Sequence, residues 1–239
     1  MRNTVAIMQR ELNSLFFSPI GYVVIALFLI LMGGITVWTG NIAPGQPATL
    51  ANFFQFAPYL LAIIVPAITM RLISEEYRSG TIETLMTAPI ADAELVIGKY
   101  LAVLAFYAIM LAGTGVYLVF MSMYGNPDVG ASFAAYIGLL LAGAAFLAVG
   151  LLASSLTKNQ IIAWMLGAVP LVLIVWFAQA MAMKAEGTVR EVIQRINIQR
   201  HLDQFNRGLV TVEGAVFFLG LAGLFVFLSV KVVESKRWR

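Results

Sequence analysis

The chain contains no cysteine and a single histidine, His201. The first absence excludes disulfides and thiol chemistry; the second excludes any centre built on two imidazoles. Charge is scarce as well. Acidic and basic residues make up 11% of the 239 positions, against about 25% in soluble domains. Hydrophobic residues fill 61%, and the mean hydropathy is +0.89. Such a composition belongs in a bilayer. No Asp, Glu, Lys, Arg or His stands in the middle of any long apolar run, where ion-coupled transporters keep their ligands and proton relays. A phosphate-binding G-x-x-x-x-G-K-[ST] loop is missing too, since Gly98-Lys99 runs into Tyr100 without the upstream glycine. Intramembrane proteolysis would need an aspartate or histidine pair within the spans, and Ser154-Ser155 has no evident basic partner. The polypeptide carries no visible engine of its own. We therefore expect no enzyme activity, no metal and no cofactor. The pI near 9.3 does not point to nucleic acid, because the basic residues stand beside apolar runs, as topology-determining charge does.

Six apolar runs are present, each near or above the roughly 20 residues that cross hydrocarbon: 20–39, 53–70, 95–123, 131–156, 161–183 and 214–233. The second contains Pro58 and Pro66, which a membrane helix tolerates at the cost of a kink. The third and fourth exceed the minimum, so they tilt or project beyond the bilayer. Residues 1–18 do not read as a signal peptide, because Gln9, Arg10, Glu11 and Asn13 interrupt the apolar pattern. Val5, Met8, Leu12, Leu15 and Phe16 recur at helical spacing there, predicting an interfacial helix that Pro19 and Gly21 turn into the first span. Ten of the fifteen lysines and arginines fall on one side if both termini are cytoplasmic, which sets the orientation. The remaining five lie in 184–213, the one large outside loop. There Val189, Val192, Ile193 and Ile196 oppose Arg190, Glu191, Gln194 and Arg195, predicting an amphipathic helix on the outer membrane surface or the tops of the spans. Residues 201–208 read as a further turn or two, stopped by Gly208. His201, alone, reads as an interfacial hydrogen-bonding residue. Small residues four apart in the fourth run, such as Gly138 and Ala142, predict close helix packing.

The segment 71–94 is different in kind. It places Glu75, Glu76, Arg78 and Glu83 between two apolar runs, and none of them belongs in hydrocarbon. Gly80 breaks the helix leaving the second span, and Thr81 is placed to cap a new one. Ile82, Leu85 and Met86 then share one side of a short helix that Pro89 limits. A short amphipathic helix at the membrane surface is a docking shape for a soluble partner. The expected fold is all-α: one membrane domain, 1–239, of six transmembrane helices with an interfacial elbow helix, a cytoplasmic helix between spans two and three, and amphipathic helices between spans five and six.

This layout, together with the segment from Glu75 through Gly80-Thr81-Ile82-Glu83-Thr84-Leu85 to Pro89, resembles the ABC-2 family of ATP-binding-cassette permeases and its E-x-x-x-G-T-x-E-x-L-x-x-x-P segment. The tail, Phe205-Asn206-Arg207-Gly208-Leu209 and then a last span ending in Lys236-Arg237-Trp238, is similar to the branch with gliding-motility and nitrous-oxide-reductase-maturation permeases. The resemblance implies a plasma-membrane (bacterial inner-membrane) subunit that pairs with a second copy or a related permease. Two cytoplasmic ATPase subunits would bind the ATP, and 71–94 would be the coupling region. On that resemblance Glu75, Glu76, Arg78, Gly80, Thr81, Ile82, Glu83, Leu85, Met86 and Pro89 are the ATPase-coupling residues. Membrane lipid and an extracytoplasmic protein are further expected partners. The function so implied is export, or mechanical work on an external partner. The alternative is a non-transporting membrane scaffold. No substrate is specified.

Overall fold

The computed structural model describes residues 2–39, 49–81, 90–124, 127–177, 180–181 and 186–237. The chain is all-α, and no strand occurs among the described residues. Helix α1 (Arg2–Phe17) is followed after Ser18 by α2 (Pro19–Trp38), with Pro at the first helical position, where its missing N–H costs nothing. Next come α3 (Ala51–Thr69), the short α4 (Ser74–Ser79), α5 (Asp92–Gly113), α6 (Gly115–Tyr124) and α7 (Val129–Leu156). Helix α8 (Gln160–Val172), a π-helical turn (Leu173–Phe177), α9 (Gly187–Ile196), α10 (Ile198–Asn206) and α11 (Val212–Arg237) complete the order. Six of these segments are long and apolar enough to cross a membrane.

Helix α7 is the hub. The helices α3, α5, α8, α10 and α11 all pack against it, and its small residues permit the close approach. Tyr107 of α5 lies flat enough on Gly143 that a Cβ there would sit 2.3 Å from its ring. The Tyr107 hydroxyl, fully buried, donates to the Leu139 carbonyl at 2.7 Å. A Cβ on Gly150 would collide with Thr69 of α3 at 2.0 Å, and Gly167 of α8 meets both Pro66 and the Gly150 backbone. Helix caps are local: Asp128 accepts from Ala131 N at 3.0 Å, and Asn159 from Ile161 N at 2.9 Å.

Three points depart from the simplest reading of the apolar runs. The third run is two helices, because the chain breaks at Thr114, whose buried hydroxyl turns back to Leu111 O and meets the Tyr136 hydroxyl. In the fifth run Pro170 removes a helical donor, and the backbone three residues on widens into the π turn. Helix α10 lies along α7 as well as near its end: Phe205 packs on Gly138, and Gly208 rests on Ala131. Gly208 stops α10 as its sequence predicts. Its φ is 83°, and Leu209 N reaches Gln204 O at 3.0 Å, a Schellman closure. Pro58 and Pro66 are carried inside α3 without ending it. Ile193 of α9 is half-buried, whereas the side chains of Val189, Val192 and Ile196 lie outside the described residues.

Candidate functional site

Where α3 ends, the chain turns through 70–73 and resumes as α4. A helix end leaves backbone groups without partners, and here a side chain from α7 supplies them. Ser154 Oγ accepts from Ile73 N at 3.0 Å and from Ser74 N at 3.1 Å, and donates to Met70 O at 2.9 Å. Ser74 is itself fully buried and its hydroxyl returns to Met70 O. This staple aims α4 so that one of its sides faces the bundle and the other faces away.

The inward side carries Glu76 and Tyr77. Glu76 Oε1 lies 2.8 Å from Lys99 Nζ, and that ammonium lies 3.0 Å from Glu11 Oε1. Arg10 completes the cluster, 2.8 Å from Glu11 and 3.4 Å from Glu76. Lys99 is 1% exposed although it stands near the start of the third span. Two cations and two carboxylates thus join α1, α4 and α5. Helix α1 approaches α5 closely enough for this because Gly98, beside Lys99, has no side chain to hold off Thr4 O and Ile7. Burial pushes the Glu11 carboxyl up, but the Lys99 charge and the hydrogen bonds from Arg10 and Lys99 outweigh it, leaving the group below its ordinary value. Among the described residues, Glu76 Oε2 has no hydrogen-bond partner. Tyr77, at the other edge of the inward side, lies under the Lys236 ammonium of α11, 4.2 Å from the ring centroid. The same ammonium donates to Ser155 O at 2.8 Å.

The outward side carries Glu75, Arg78 and Ser79, all exposed. Glu75 pairs with Arg71 at 3.3 Å, one helical turn back. Gly80 closes α4 with φ 74°, a left-handed conformation that suits glycine. The Thr81 hydroxyl lies 2.8 Å from Ser79 Oγ. The structure therefore brings Glu75, Arg78, Gly80 and Thr81 to one exposed surface and turns Glu76 into the bundle. Ile82, Glu83, Leu85, Met86 and Pro89 lie outside the described residues.

Ser154, Lys99, Glu11, Arg10 and Lys236 were not singled out by sequence as belonging to this site. Lys99 alone left a trace: a cation seven residues into an apolar helix needs an anionic partner. Nothing local names Glu11 and Glu76 as those partners. At the far end, His201 is buried and stacked on Phe217 at 4.3 Å, with Nε2 3.1 Å from Arg195 O.

A bundle of six apolar helices, with a short charged helix held on one side by α1 and α5 and on the other by the last turn of α11, defines a multi-pass membrane protein. The chain belongs to the ABC-2 family of transporter proteins: the family model described as "ABC-2 family transporter protein" matches residues 5–230. It is also similar to the probable ABC transporter permease protein NosY of Pseudomonas aeruginosa, with 35% identity over 81 residues. That match covers 31% of this chain and 29% of the relative.

Proposed function

We propose that this chain is the transmembrane permease subunit of an ATP-binding-cassette complex, in which 71–94 receives movement from a separate cytoplasmic ATPase and passes it to the spans. Export, or work on an external partner, is the outcome of that movement. ATP is held by the partner, two ATPase copies serve a pair of permeases, and both termini face the cytoplasm of a bacterial inner membrane. The observation that carries the proposal is the two-sidedness of α4. Its exposed side offers Glu75 and Arg78 to a partner. Its inward side is tied to α7 through Ser154, to α1 and α5 through Lys99, and to α11 through Lys236. A push on the exposed side therefore reaches four helices without passing through a flexible link.

The test is co-purification from the native membrane in mild detergent, followed by nucleotide hydrolysis on the complex. An ATPase recovered with the chain should be lost or left unstimulated in Arg78→Glu and in Gly80→Pro, since proline cannot adopt φ 74°. Both variants should still reach the membrane. Normal hydrolysis in both would refute the coupling role, and a stable complex lacking a nucleotide-binding protein would favour the scaffold.

A further inference from the structure

We propose that the cleft between α7, α8 and α11 is a binding site for one anionic phospholipid from the leaflet on the side of the chain termini, acyl chain in the cleft and phosphate against Lys158 and Lys236. Helices α8 and α11 both pack against α7, and they leave between them a cleft of about 460 Å³. Leu152 forms part of its floor, Leu166 and Pro170 one wall, Leu221 and Phe225 the other. Every lining residue is apolar, so water has none of the two to four polar partners it needs there. The cleft opens sideways, with Leu156 51% and Leu166 45% exposed. Hydrocarbon is what fits it.

Apolar walls alone would accept any hydrocarbon; the charge at one end narrows the choice. On α11, Phe217, Leu221 and Phe225 follow each other at steps of four, and the same face continues through Val232 to Lys236. The Lys236 ammonium bonds Ser155 O, the residue before Leu156 at the mouth. Lys158 is exposed two residues beyond Leu156, and its charge acts on Lys236. The neighbouring carboxylate Glu234 is taken by Lys231 at 2.7 Å. Among the described residues, neither Lys158 nor Lys236 is in an ion pair with a carboxylate. An apolar slot ending in two ammonium groups complements an amphiphile with an anionic head, which a zwitterionic lipid or a second apolar helix matches less well.

The experiment is native mass spectrometry of the full chain released from mild detergent, titrated with palmitoyl-oleoyl phosphatidylglycerol or with the matching phosphatidylcholine. The wild-type chain should retain one phosphatidylglycerol and hold the phosphatidylcholine far more weakly. Lys158→Glu, a change at an exposed position, should lower phosphatidylglycerol retention by roughly fivefold or more, and the Lys158→Gln/Lys236→Gln pair by roughly twentyfold. Leu166→Trp, which fills the cleft from its exposed wall, should lower retention of both lipids. Equal retention of the two lipids by the wild type, or unchanged retention in Leu166→Trp, overturns the proposal. So does a lipid-free dimer that Leu166→Trp dissociates, which would assign the cleft to a second copy.

Discussion

Replacing Lys99 by methionine removes the one ammonium that both Glu11 and Glu76 contact, at 3.0 and 2.8 Å. At an effective dielectric near 20, each contact is worth about 5–6 kcal/mol of Coulomb attraction before desolvation. Most of that is offset by the cost of burying the charges. What the substitution exposes is the remainder: two carboxylates, with side chains 16% and 12% exposed, left facing each other with only Arg10 between them. Breaking a buried pair by removing one partner typically costs 3–5 kcal/mol. Arg10 stays in place, so the expected loss is about 3 kcal/mol, which lowers the melting temperature by roughly 6–12 °C for a chain of this size. The assay is thermal unfolding of the detergent-solubilised protein, run as a cycle with Glu76→Gln. The double variant should recover at least half of the loss, because it removes the uncompensated charge. If Lys99→Met melts with the wild type, or Glu76→Gln fails to rescue it, the network does not clamp α1, α4 and α5 together.

Two further outcomes follow from the same end of the molecule. Ser154→Ala strands the Ile73 and Ser74 amides at about 1–3 kcal/mol, and amide hydrogen exchange at those two positions should accelerate by roughly tenfold or more while exchange in the middle of α7 stays unchanged; equal rates would refute the staple. The Glu11 carboxyl is held below its ordinary value, so its contribution to stability is complete above the unfolded value of about 4.3 and is lost as the pH falls through the lower folded value. The Glu76 carboxyl is pushed the opposite way, chiefly by burial, so the quantity to read is the difference between two profiles: below about pH 4 the melting temperature of the wild type should fall more steeply than that of Glu11→Gln, and identical declines would show that other groups set it.

What sequence made legible here is what local rules govern. Six apolar runs announce six helices, since lipid leaves a lone segment no other way to satisfy its backbone. Gly208 announces a helix end because a left-handed residue is cheap only there. The break at Thr114 was hidden, because threonine in an apolar run is ordinary until its hydroxyl finds Tyr136. Glu76 was legible as charged but not as inward-facing. Its direction depends on Lys99, 23 positions on, and on Glu11, 65 positions back, and no periodicity spans such intervals. The Ser154 staple is opaque for the same reason: a serine in a small-residue helix looks like packing until the end of another helix arrives beside it.

The hub helix α7 runs unbroken for 28 residues, about 42 Å at the helical rise. Near one end it supports α10 through Gly138, and at the other it grips α4 through Ser154. It is in effect a stiff axle joining the two faces of the membrane. Its neighbours are jointed: the third span is cut at Thr114, and the fifth loosens at the π turn after Pro170. Under the coupling role proposed for α4, a motion imposed there would be carried along α7 without loss of register, and the bending it demands would fall at those two joints in the adjacent spans.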